Sequence, residues 1–254
     1  MAERPIRLVI SGCCGRMGSS IVEEAVKDSI HFELVGGLEQ ISHPQLGSPL
    51  PKKPHLKISD DLKVLLQRAD GLIEFTTPEA SLTHARIAAE MKIPMVIGTT
   101  GFSVEQIDQL HSLSQQIPIF LSPNMSIGIV IVRKMIARIS ELLRYFELNG
   151  ATRIRISETH HAKKKDAPSG TAKQLAGDIR EALDPSFKEE EIESKRVGDV
   201  VGIHSVTFQF GSEQIRIEHE AIDRRVFAQG ALLVAKNFLK MRPKPGWYGM
   251  DDLR

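Results

Sequence analysis

The stretch that decides the fold is Ile6–Ile21, which reads IRLVISGCCGRMGSSI. It opens with a short apolar run typical of a buried strand and passes into the helical pattern Met17–Lys27. Between the two lie Gly12, Gly15 and Gly18, evenly spaced. Glycines at such a junction permit a tight turn and let backbone N–H groups approach a pyrophosphate at the positive end of the helix. The stretch therefore predicts the strand, loop and helix that open a dinucleotide-binding unit.

An acidic residue supports this prediction. Phe32–Leu38 predicts a second strand, and Glu39 follows it directly. In dinucleotide-binding units, an acid about 20 residues beyond the glycine loop binds the adenosine ribose hydroxyls. The glycine spacing departs from the strict G-x-G-x-x-G form, and Cys14 occupies the usual place of the second glycine. A simple helix-start turn with a surface glutamate is the alternative, but the order of strand, loop, helix, strand and acid favours dinucleotide binding.

The rest of the first half alternates short apolar runs with helical patterns. This alternation predicts a parallel sheet with helices on both faces, a Rossmann-like α/β domain. The predicted strands are Gly71–Phe75, Pro94–Ile97 and Pro118–Leu121, and the predicted helices are Pro78–Met91 and Val104–Gln115. The segment Ser42–Ser59 is rich in proline and polar residues and is expected to be mostly loop. Two further loops follow predicted strands at the edge where open parallel sheets bind ligands. They contain Gly98, Thr99, Thr100 and Gly101, and Ser122, Pro123, Asn124 and Met125.

The second half has a mixed, more antiparallel pattern that predicts a smaller α+β domain. The expected elements are helices Ile127–Leu148 and Ala228–Leu239 and strands Ala151–Glu158, Ile203–Phe210 and Gln214–Ala221. The last two strands are separated by a hairpin-like turn. We therefore predict a dinucleotide-binding domain over residues 1–126 and a second domain over 127–238. The segment 239–254 is expected to return to the first domain.

The segment Glu158–Ala172, ETHHAKKKDAPSGTA, concentrates titratable and cationic side chains. Ser169 is the expected N-cap of a helix, so the N–H groups around Gly170 and Thr171 are placed to bind an anion. The cations that converge there are drawn from His160, His161, Lys163, Lys164 and Lys165. A histidine or lysine can also donate a proton where a carbanion develops. The alternatives are a solvated lysine face, a packed histidine pair and a structural turn at Asp166. No metal site is predicted, because cysteine partners and an H-E-x-x-H spacing are missing here.

These motifs resemble the dihydrodipicolinate reductase (4-hydroxy-tetrahydrodipicolinate reductase) family of the diaminopimelate route to lysine. The family signature is approximately E-x-H-H-x-x-K-x-D-A-P-S-G-T-A, and Glu158–Ala172 matches it. The segments GRMG (Gly15–Gly18), GTTGF (Gly98–Phe102) and NMSIG (Asn124–Gly128) match in the same order. The resemblance covers essentially the whole chain.

The resemblance implies a Rossmann-like nucleotide domain and a substrate domain whose sheet builds a homotetramer. It implies hydride transfer from NADH or NADPH to a small cyclic dicarboxylate, 4-hydroxy-tetrahydrodipicolinate, with loss of water, giving tetrahydrodipicolinate. By motif, His160 is the expected proton donor or acceptor, and Lys164 is the expected proton donor. His161, Gly170 and Thr171 are expected to hold the substrate carboxylates. The expected cofactor contacts are Gly12, Cys13, Cys14, Gly15, Arg16, Met17, Glu39, Gly98, Thr99, Thr100, Ser122, Pro123, Asn124 and Met125.

Two positions depart from the family pattern. Gln40 follows Glu39, where some members carry an arginine beside the ribose 2′ position. NADPH preference is therefore expected to be weak or absent, unless Lys52 or Lys53 supplies the charge. Cys14 places a thiol in the glycine loop, where it would crowd the pyrophosphate or make the loop oxidisable.

Composition narrows the function classes. The 254 residues carry 33 basic and 32 acidic side chains, a net charge of +1 that argues against a general nucleic-acid binder. The two cysteines are adjacent, which favours a reducing compartment over a disulfide framework. No apolar run approaches the length of a membrane span. We therefore expect a cytoplasmic protein without nucleic-acid or membrane partners. The alternatives to the reductase are another two-domain NAD(P)-dependent dehydrogenase and a non-catalytic dinucleotide sensor.

Overall fold

The computed structural model describes residues 4–253, and the chain divides into two compact units. The first unit comprises the chain up to Met125 together with the segment from Arg225 onward. The second unit is Ser126–Arg224. This division differs from the expected one over residues 225–238. The helix Arg225–Lys240 (α7) packs on the helix Arg16–Lys27 (α1) of the first unit. The local sequence pattern of α7 predicts a helix but does not indicate which part of the chain it packs against.

An eight-stranded sheet forms the centre of the first unit. Its strands are β1 Ile6–Ser11, β2 Phe32–Leu38, β3 Pro49–Leu50, β4 Lys53–Ser59, β5 Gly71–Glu74, β6 Met95–Ile97, β7 Pro118–Leu121 and, near the chain end, β12 Gly246–Tyr248. The order is β12-β7-β6-β5-β1-β2-β4-β3, and every neighbouring pair except β3–β4 is parallel. β2 lies on one side of β1 and β5 lies on the other, so the direction in which strands are added to the sheet reverses at β1. Open α/β sheets bind ligands at this switch point, and the Rossmann-like α/β prediction is confirmed.

The helices of this unit are α1, α2 Leu62–Leu66, α3 Pro78–Met91, α4 Val104–Ser114 and α7. Side-chain caps begin α2, α3 and α4. The hydroxyl of Thr77 accepts the Ala80 N–H, with Pro78 in the first helical position. Ser103 and Gln106 form a reciprocal capping box at the start of α4. The apolar faces of α2, α3 and α4 contribute to one buried core with the central strands.

The expectation that Ser42–Ser59 is mostly loop is wrong over its last part. Lys53–Ser59 forms β4, which pairs with β2 only at Ile58 and Ser59. Pro54 therefore lies outside the part of the strand that pairs with β2, where a missing N–H costs little. The short strands β3 and β12 and the helix α2 were also not predicted, because each is too brief to establish a period.

The second unit is a four-stranded sheet packed against two helices. The strands are β8 Arg153–His160, β9 Glu193–Arg196, β10 Gly202–Phe210 and β11 Glu213–Ala221, in the order β11-β10-β8-β9, and the helices are α5 Ile127–Tyr145 and α6 Gly170–Ala182. Val206 of β10 lies opposite Ile156 and Ile217, and the three side chains enter one buried core with residues of α5 and α6. The hairpin turn between β10 and β11 is confirmed, with Gly211 at φ +54°. β9 runs parallel to β8 and was not predicted, because its sequence ESKR is polar.

Among residues 4–253, no helix combines the length and the apolar character that a membrane crossing requires.

Glycine at position 18 is required by the close packing of α1 on the first loop. A Cβ on Gly18 would lie 2.0 Å from the carbonyl oxygen of Gly12, whereas one on Gly177 of α6 would have only Arg180 Nη2 nearby, at 3.9 Å. Gly18→Ala is therefore expected to lower the free energy of unfolding by about 1–3 kcal/mol or more. Gly177→Ala is the matched control and is expected to raise it by about 0.5–1 kcal/mol. Denaturant unfolding measures both, and wild-type stability of Gly18→Ala would contradict the packing argument.

Candidate active site

The glycine loop and the predicted ribose-binding acid lie together. Gly12 follows β1 with φ +71°, and a Cβ there would lie 2.3 Å from the carbonyl oxygen of Phe75. The loop ends at Gly15, the N-cap of α1. Glu39 lies at the end of β2, and its Oε1 accepts the Cys14 N–H at 2.8 Å. The turn, the helix N-terminus and the acid therefore form one continuous surface at the carboxyl ends of β1 and β2.

The two cysteines of this loop differ in exposure. Cys13 is buried and Cys14 is half-buried, and their Sγ atoms are 3.9 Å apart. Burial raises the pKa of the Cys13 thiol far above its usual value, and the adjacent Cys14 acts in the same direction. Burial also raises the pKa of Cys14. Both side chains are therefore neutral thiols at neutral pH, which disfavours oxidation of the loop because the thiolate is the reactive form.

The two other predicted cofactor loops contain both buried and exposed residues. The buried hydroxyl of Thr99 accepts the Thr76 N–H at 3.0 Å and the Ser81 hydroxyl at 2.8 Å. Ser122 donates its hydroxyl to the carbonyl of Asn124 at 2.7 Å and so fixes the second loop. The side chains of Thr99, Ser122 and Met125 are therefore buried beneath these loops and hold the loop backbone in place. Thr100, Gly101 and Pro123 are exposed, and Asn124 is half-buried.

A buried carboxylate beneath these loops was missed by the sequence analysis. Glu74 ends β5 fully buried, where its apolar strand had predicted only core. It accepts from the hydroxyls of Thr76 and Ser81, and His84 Nδ1 lies 2.9 Å from its Oε2. The available signal was an acid at the carboxyl end of an apolar strand, which is the edge where functional residues concentrate.

In the second unit, His160 is held by the buried carboxylate of Glu158. Glu158 and His160 occupy alternate positions of β8, and the Glu158 Oε2 atom contacts His160 Nδ1 in a short hydrogen bond. Arg196 of β9 donates to both carboxylate oxygens, at 3.0 and 2.8 Å. The Ser169 N–H also donates to this carboxylate, at 3.3 Å. Arg196 had not been predicted as a site residue.

The charges of this cluster follow from its burial. Burial lowers the pKa of His160, and the nearby Glu158 carboxylate opposes that shift only in part. Burial alone would raise the pKa of Glu158, but the hydrogen bonds from Arg196 and His160 lower it overall. At neutral pH the pair is therefore a carboxylate and a neutral imidazole. With Nδ1 engaged by Glu158, the Nε2 atom of His160 is the one left to exchange a proton with a substrate.

A second buried histidine supports the start of α6. His204 of β10 lies edge-on to His160 with ring centroids 5.0 Å apart, and its Nε2 is 3.1 Å from the Ser169 hydroxyl. Ser169 in turn accepts the Ala172 N–H, which confirms it as the N-cap of α6. Like Arg196, His204 was missed, because a histidine in an alternating strand carries no signal of its partner.

The cationic segment directly precedes α6, whose first residue, Gly170, is exposed. Lys164 is partly buried and forms an ion pair with Asp166 at 2.9 Å, so Asp166 is a structural partner of the lysine. The hydrogen bond from Lys164 lowers the pKa of Asp166. His161 is half-buried, whereas Lys163 and Lys165 are exposed. His160, His161 and Lys164 are thus buried or half-buried just before α6, whereas Lys163 and Lys165 lie in solvent.

The fold and the two sets of residues define a class: a two-domain oxidoreductase that uses NADH or NADPH. Family models described as "Dihydrodipicolinate reductase, N-terminus" and "Dihydrodipicolinate reductase, C-terminus" match residues 6–125 and 128–253. The chain belongs to the dihydrodipicolinate reductase family.

Individual relatives agree with this assignment over nearly full length. A protein from Syntrophus aciditrophicus named 4-hydroxy-tetrahydrodipicolinate reductase is 34% identical, with 98% of each chain covered. A protein of the same name from Caldanaerobacter subterraneus subsp. tengcongensis is 38% identical, also with 98% of each covered. The structure of a dipicolinate-bound dihydrodipicolinate reductase from Paenisporosarcina sp. TG-14 superposes with a TM-score of 0.78 at 25% identity, covering 98% of this chain and 100% of that one.

The buried His204 makes stability depend on pH. Burial lowers its pKa to about 3, and His160 acts in the same direction. The unfolded chain protonates a histidine near pH 6.5, so this contribution to stability is present above that pH and is lost as the pH falls towards 3. The expected slope is about 1.4 kcal/mol per pH unit. His204→Gln is expected to make the dependence of unfolding free energy on pH shallower by about this amount, because one fewer proton is taken up on unfolding. Denaturant unfolding measures this between roughly pH 6 and pH 4, which lies between the two pKa values of His204.

The matched control for that measurement is His55→Gln, which alters an exposed histidine of β4. It is expected to keep the wild-type dependence of stability on pH. An unchanged slope in His204→Gln would show that His204 takes up its proton equally well in the folded and unfolded chains.

Proposed function

We propose that the protein reduces 4-hydroxy-tetrahydrodipicolinate to tetrahydrodipicolinate, with loss of water, in the diaminopimelate route to lysine. The single observation that carries the proposal is the Glu158–Arg196 ion pair, which orients a neutral His160 beside the N-terminus of α6. A cyclic dicarboxylate needs both an anion site and a proton source, and the signature segment supplies the two together. The curated relatives carry the name of this activity.

The proton chemistry divides between two side chains. The substrate hydroxyl and a neighbouring ring hydrogen would leave together as water, which creates a double bond in the ring. Bound NADH or NADPH would supply a hydride to that double bond, and a proton must then neutralise the negative charge left on the ring. His160 is neutral at neutral pH because burial lowers its pKa, so it serves as an acceptor or relay through Nε2. Lys164 carries an ammonium with protons to give, and its ion pair with Asp166 fixes its position. We therefore assign proton donation to Lys164 and proton exchange to His160.

The substrate carboxylates are assigned to the start of α6. Gly170 is the first residue of the helix and is exposed, and a Cβ at this position would meet no other atom within 4 Å. The N-terminal N–H groups of a helix favour an anion both by hydrogen bonding and by the helix dipole. His161, Gly170 and Thr171 are proposed to hold the carboxylates. An exposed main-chain site of this kind suits a flat dianion, since Gly170 itself has no side chain to obstruct the approach.

The cofactor is assigned to the first unit. The loop from Gly12 to Met17 is proposed to hold the pyrophosphate, and Glu39 the adenosine ribose. The segments Gly98–Thr100 and Ser122–Met125 end neighbouring parallel strands and are proposed to complete the cofactor site. Thr99, Ser122 and Met125 would act by shaping the backbone, because their side chains are buried.

We further propose a homotetramer located in the cytoplasm. One face of the second sheet packs on α5 and α6, and alternate residues of β8 such as Arg153 and Arg155 point to the other side and are exposed. That polar face carries cross-strand contacts such as Arg155 to Gln209, at 2.9 Å, and is the surface expected to assemble four copies. A reducing compartment agrees with the two free cysteines.

The proposed function is tested by following nicotinamide oxidation with substrate generated in situ from pyruvate and aspartate semialdehyde by the preceding synthase. Lys164→Ala is expected to lower kcat by roughly 100-fold or more, since general acid catalysis contributes about that much, while NADH affinity stays unchanged. His160→Gln is also expected to lower kcat. Lys163→Ala is the matched control, because it removes an exposed neighbouring lysine, and it is expected to retain activity.

Two results would contradict these assignments. Equal losses of kcat and NADH affinity in Lys164→Ala would mean that the segment supports the fold instead of the chemistry. A folded wild-type protein that binds NADH but never oxidises it with this substrate would favour the dinucleotide-sensor alternative.

Cofactor choice depends on the residue after Glu39. Gln40 is exposed and carries no charge, so it offers a ribose 2′-phosphate no ionic partner. The wild type is expected to have a kcat/KM for NADH at least equal to that for NADPH. Gln40→Arg is expected to raise kcat/KM for NADPH by roughly tenfold, because an arginine–phosphate hydrogen bond contributes about 1.5–3 kcal/mol. A wild type that strongly prefers NADPH would indicate that another cation, such as Lys52 or Lys53, reaches the phosphate.

A further inference from the structure

We propose that Cys13, Cys14 and Glu39 form a binding site for a thiophilic divalent cation such as Zn²⁺ or Cd²⁺, whose occupancy excludes the dinucleotide. The sequence pattern predicts no metal site, because the histidines of the second unit lack cysteine partners and an H-E-x-x-H spacing. The exclusion rests on the cofactor role proposed for the glycine loop and Glu39, whereas the cation site itself rests only on the arrangement of these three side chains.

The ligand atoms already have the spacing of a metal site. The two Sγ atoms and a carboxylate oxygen of Glu39 all lie within 4.8 Å of one another. The sulfur atoms are 3.9 Å apart. Two thiolates on a tetrahedral Zn²⁺, each at about 2.3 Å, lie about 3.8 Å apart. Cation binding would therefore require only small side-chain adjustments.

The backbone holds the three ligands in place. The carbonyl of Leu38 accepts the N–H groups of Gly12 and Cys13, which ties the loop to the end of β2. The Cys14 N–H donates to Glu39 Oε1 at 2.8 Å. A Cβ on Gly37 would lie 2.8 Å from Cys13 Sγ, so glycine at that position makes room for the thiol. The residues are thus prearranged by main-chain contacts that do not depend on a cation.

The charges and the access route suit a soft cation. Cys13 is buried, while Cys14 and Glu39 are half-buried and leave one side open to solvent for entry and for a fourth ligand. Two neutral thiols release two protons as M²⁺ binds, giving two metal–thiolate bonds. With the Glu39 carboxylate, the occupied site carries a net charge of −1. Because protons compete with the cation, affinity is expected to rise with pH.

Occupancy by a cation has a direct consequence for the proposed cofactor. A carboxylate oxygen that ligates the metal is no longer available to the ribose hydroxyls. The cation also covers the loop whose N–H groups are proposed to bind the pyrophosphate, and the net negative charge repels it. Zn²⁺ or Cd²⁺ should therefore act as a competitive inhibitor toward NADH.

The site can be tested by titrating the reduced full-length protein with Cd²⁺ and recording the ultraviolet charge-transfer absorption of cadmium thiolate. The sequence contains only Cys13 and Cys14 as cysteines, so any such absorption reports this loop. We expect saturation at one cation per chain, release of two protons, and loss of the band in Cys13→Ser and Cys14→Ser. Glu39→Gln should weaken the binding of Cd²⁺ by roughly tenfold or more, since mutation of residues that only hydrogen-bond to a metal ligand already has effects of that size. Glu33→Gln, an exposed acid on the same strand, is the matched control and should bind like wild type.

The coupling is tested separately by measuring NADH binding by fluorescence at several fixed Cd²⁺ concentrations. An apparent Kd for NADH that rises in proportion to Cd²⁺ supports mutual exclusion, and simultaneous binding overturns it. A folded protein that binds NADH but shows no cadmium-thiolate band overturns the metal site and leaves the proposed function intact. A protein that binds Cd²⁺ but no NADH even without metal would instead overturn the cofactor role of the loop.

Discussion

The second unit depends on one buried charge, the carboxylate of Glu158. Arg196 donates to both of its oxygens, Ser169 donates a backbone N–H, and His160 occupies the remaining position. The same contacts join β8 to β9 and to the first turn of α6. Removing one partner of a buried ion pair typically costs about 3–5 kcal/mol, because the other charge is left uncompensated. The orientation of His160 and the position of α6 therefore cannot vary independently.

The nucleotide half uses a related arrangement. Glu74 is fully buried at the end of β5 and gathers the hydroxyls of Thr76 and Ser81 with the ring of His84. Thr99 joins this group through Ser81, so two loops at the carboxyl edge of the sheet share one polar anchor. Buried polar groups of this kind persist only when they are satisfied, and a satisfied network fixes a single arrangement of the loops. Each unit thus supports its surface residues with an acid that the ligand need not touch.

Local signals predicted most of the nucleotide unit and only part of the second one. The glycine loop, the cap at Ser169 and the alternating strand β8 all depend on residues close in the chain, and each was visible in the sequence. Arg196 lies 38 positions from Glu158 and reaches it only because β9 pairs in parallel with β8. Its strand has no apolar pattern, so neither the strand nor the ion pair could be inferred. The packing of α7 on α1 was hidden for the same reason, since it joins opposite ends of the chain.

The placement of α7 and β12 bears on how the protein emerges from the ribosome. The second unit is complete once Arg224 has been synthesised, whereas the first unit still lacks a helix and an edge strand at that moment. Domains generally fold as units during synthesis, with earlier segments leading. The inserted unit therefore has its whole sequence available first, whereas β7 of the Rossmann-like sheet has no partner strand on one side until Gly246–Tyr248 has been synthesised. The part of the protein translated first is therefore the part completed last.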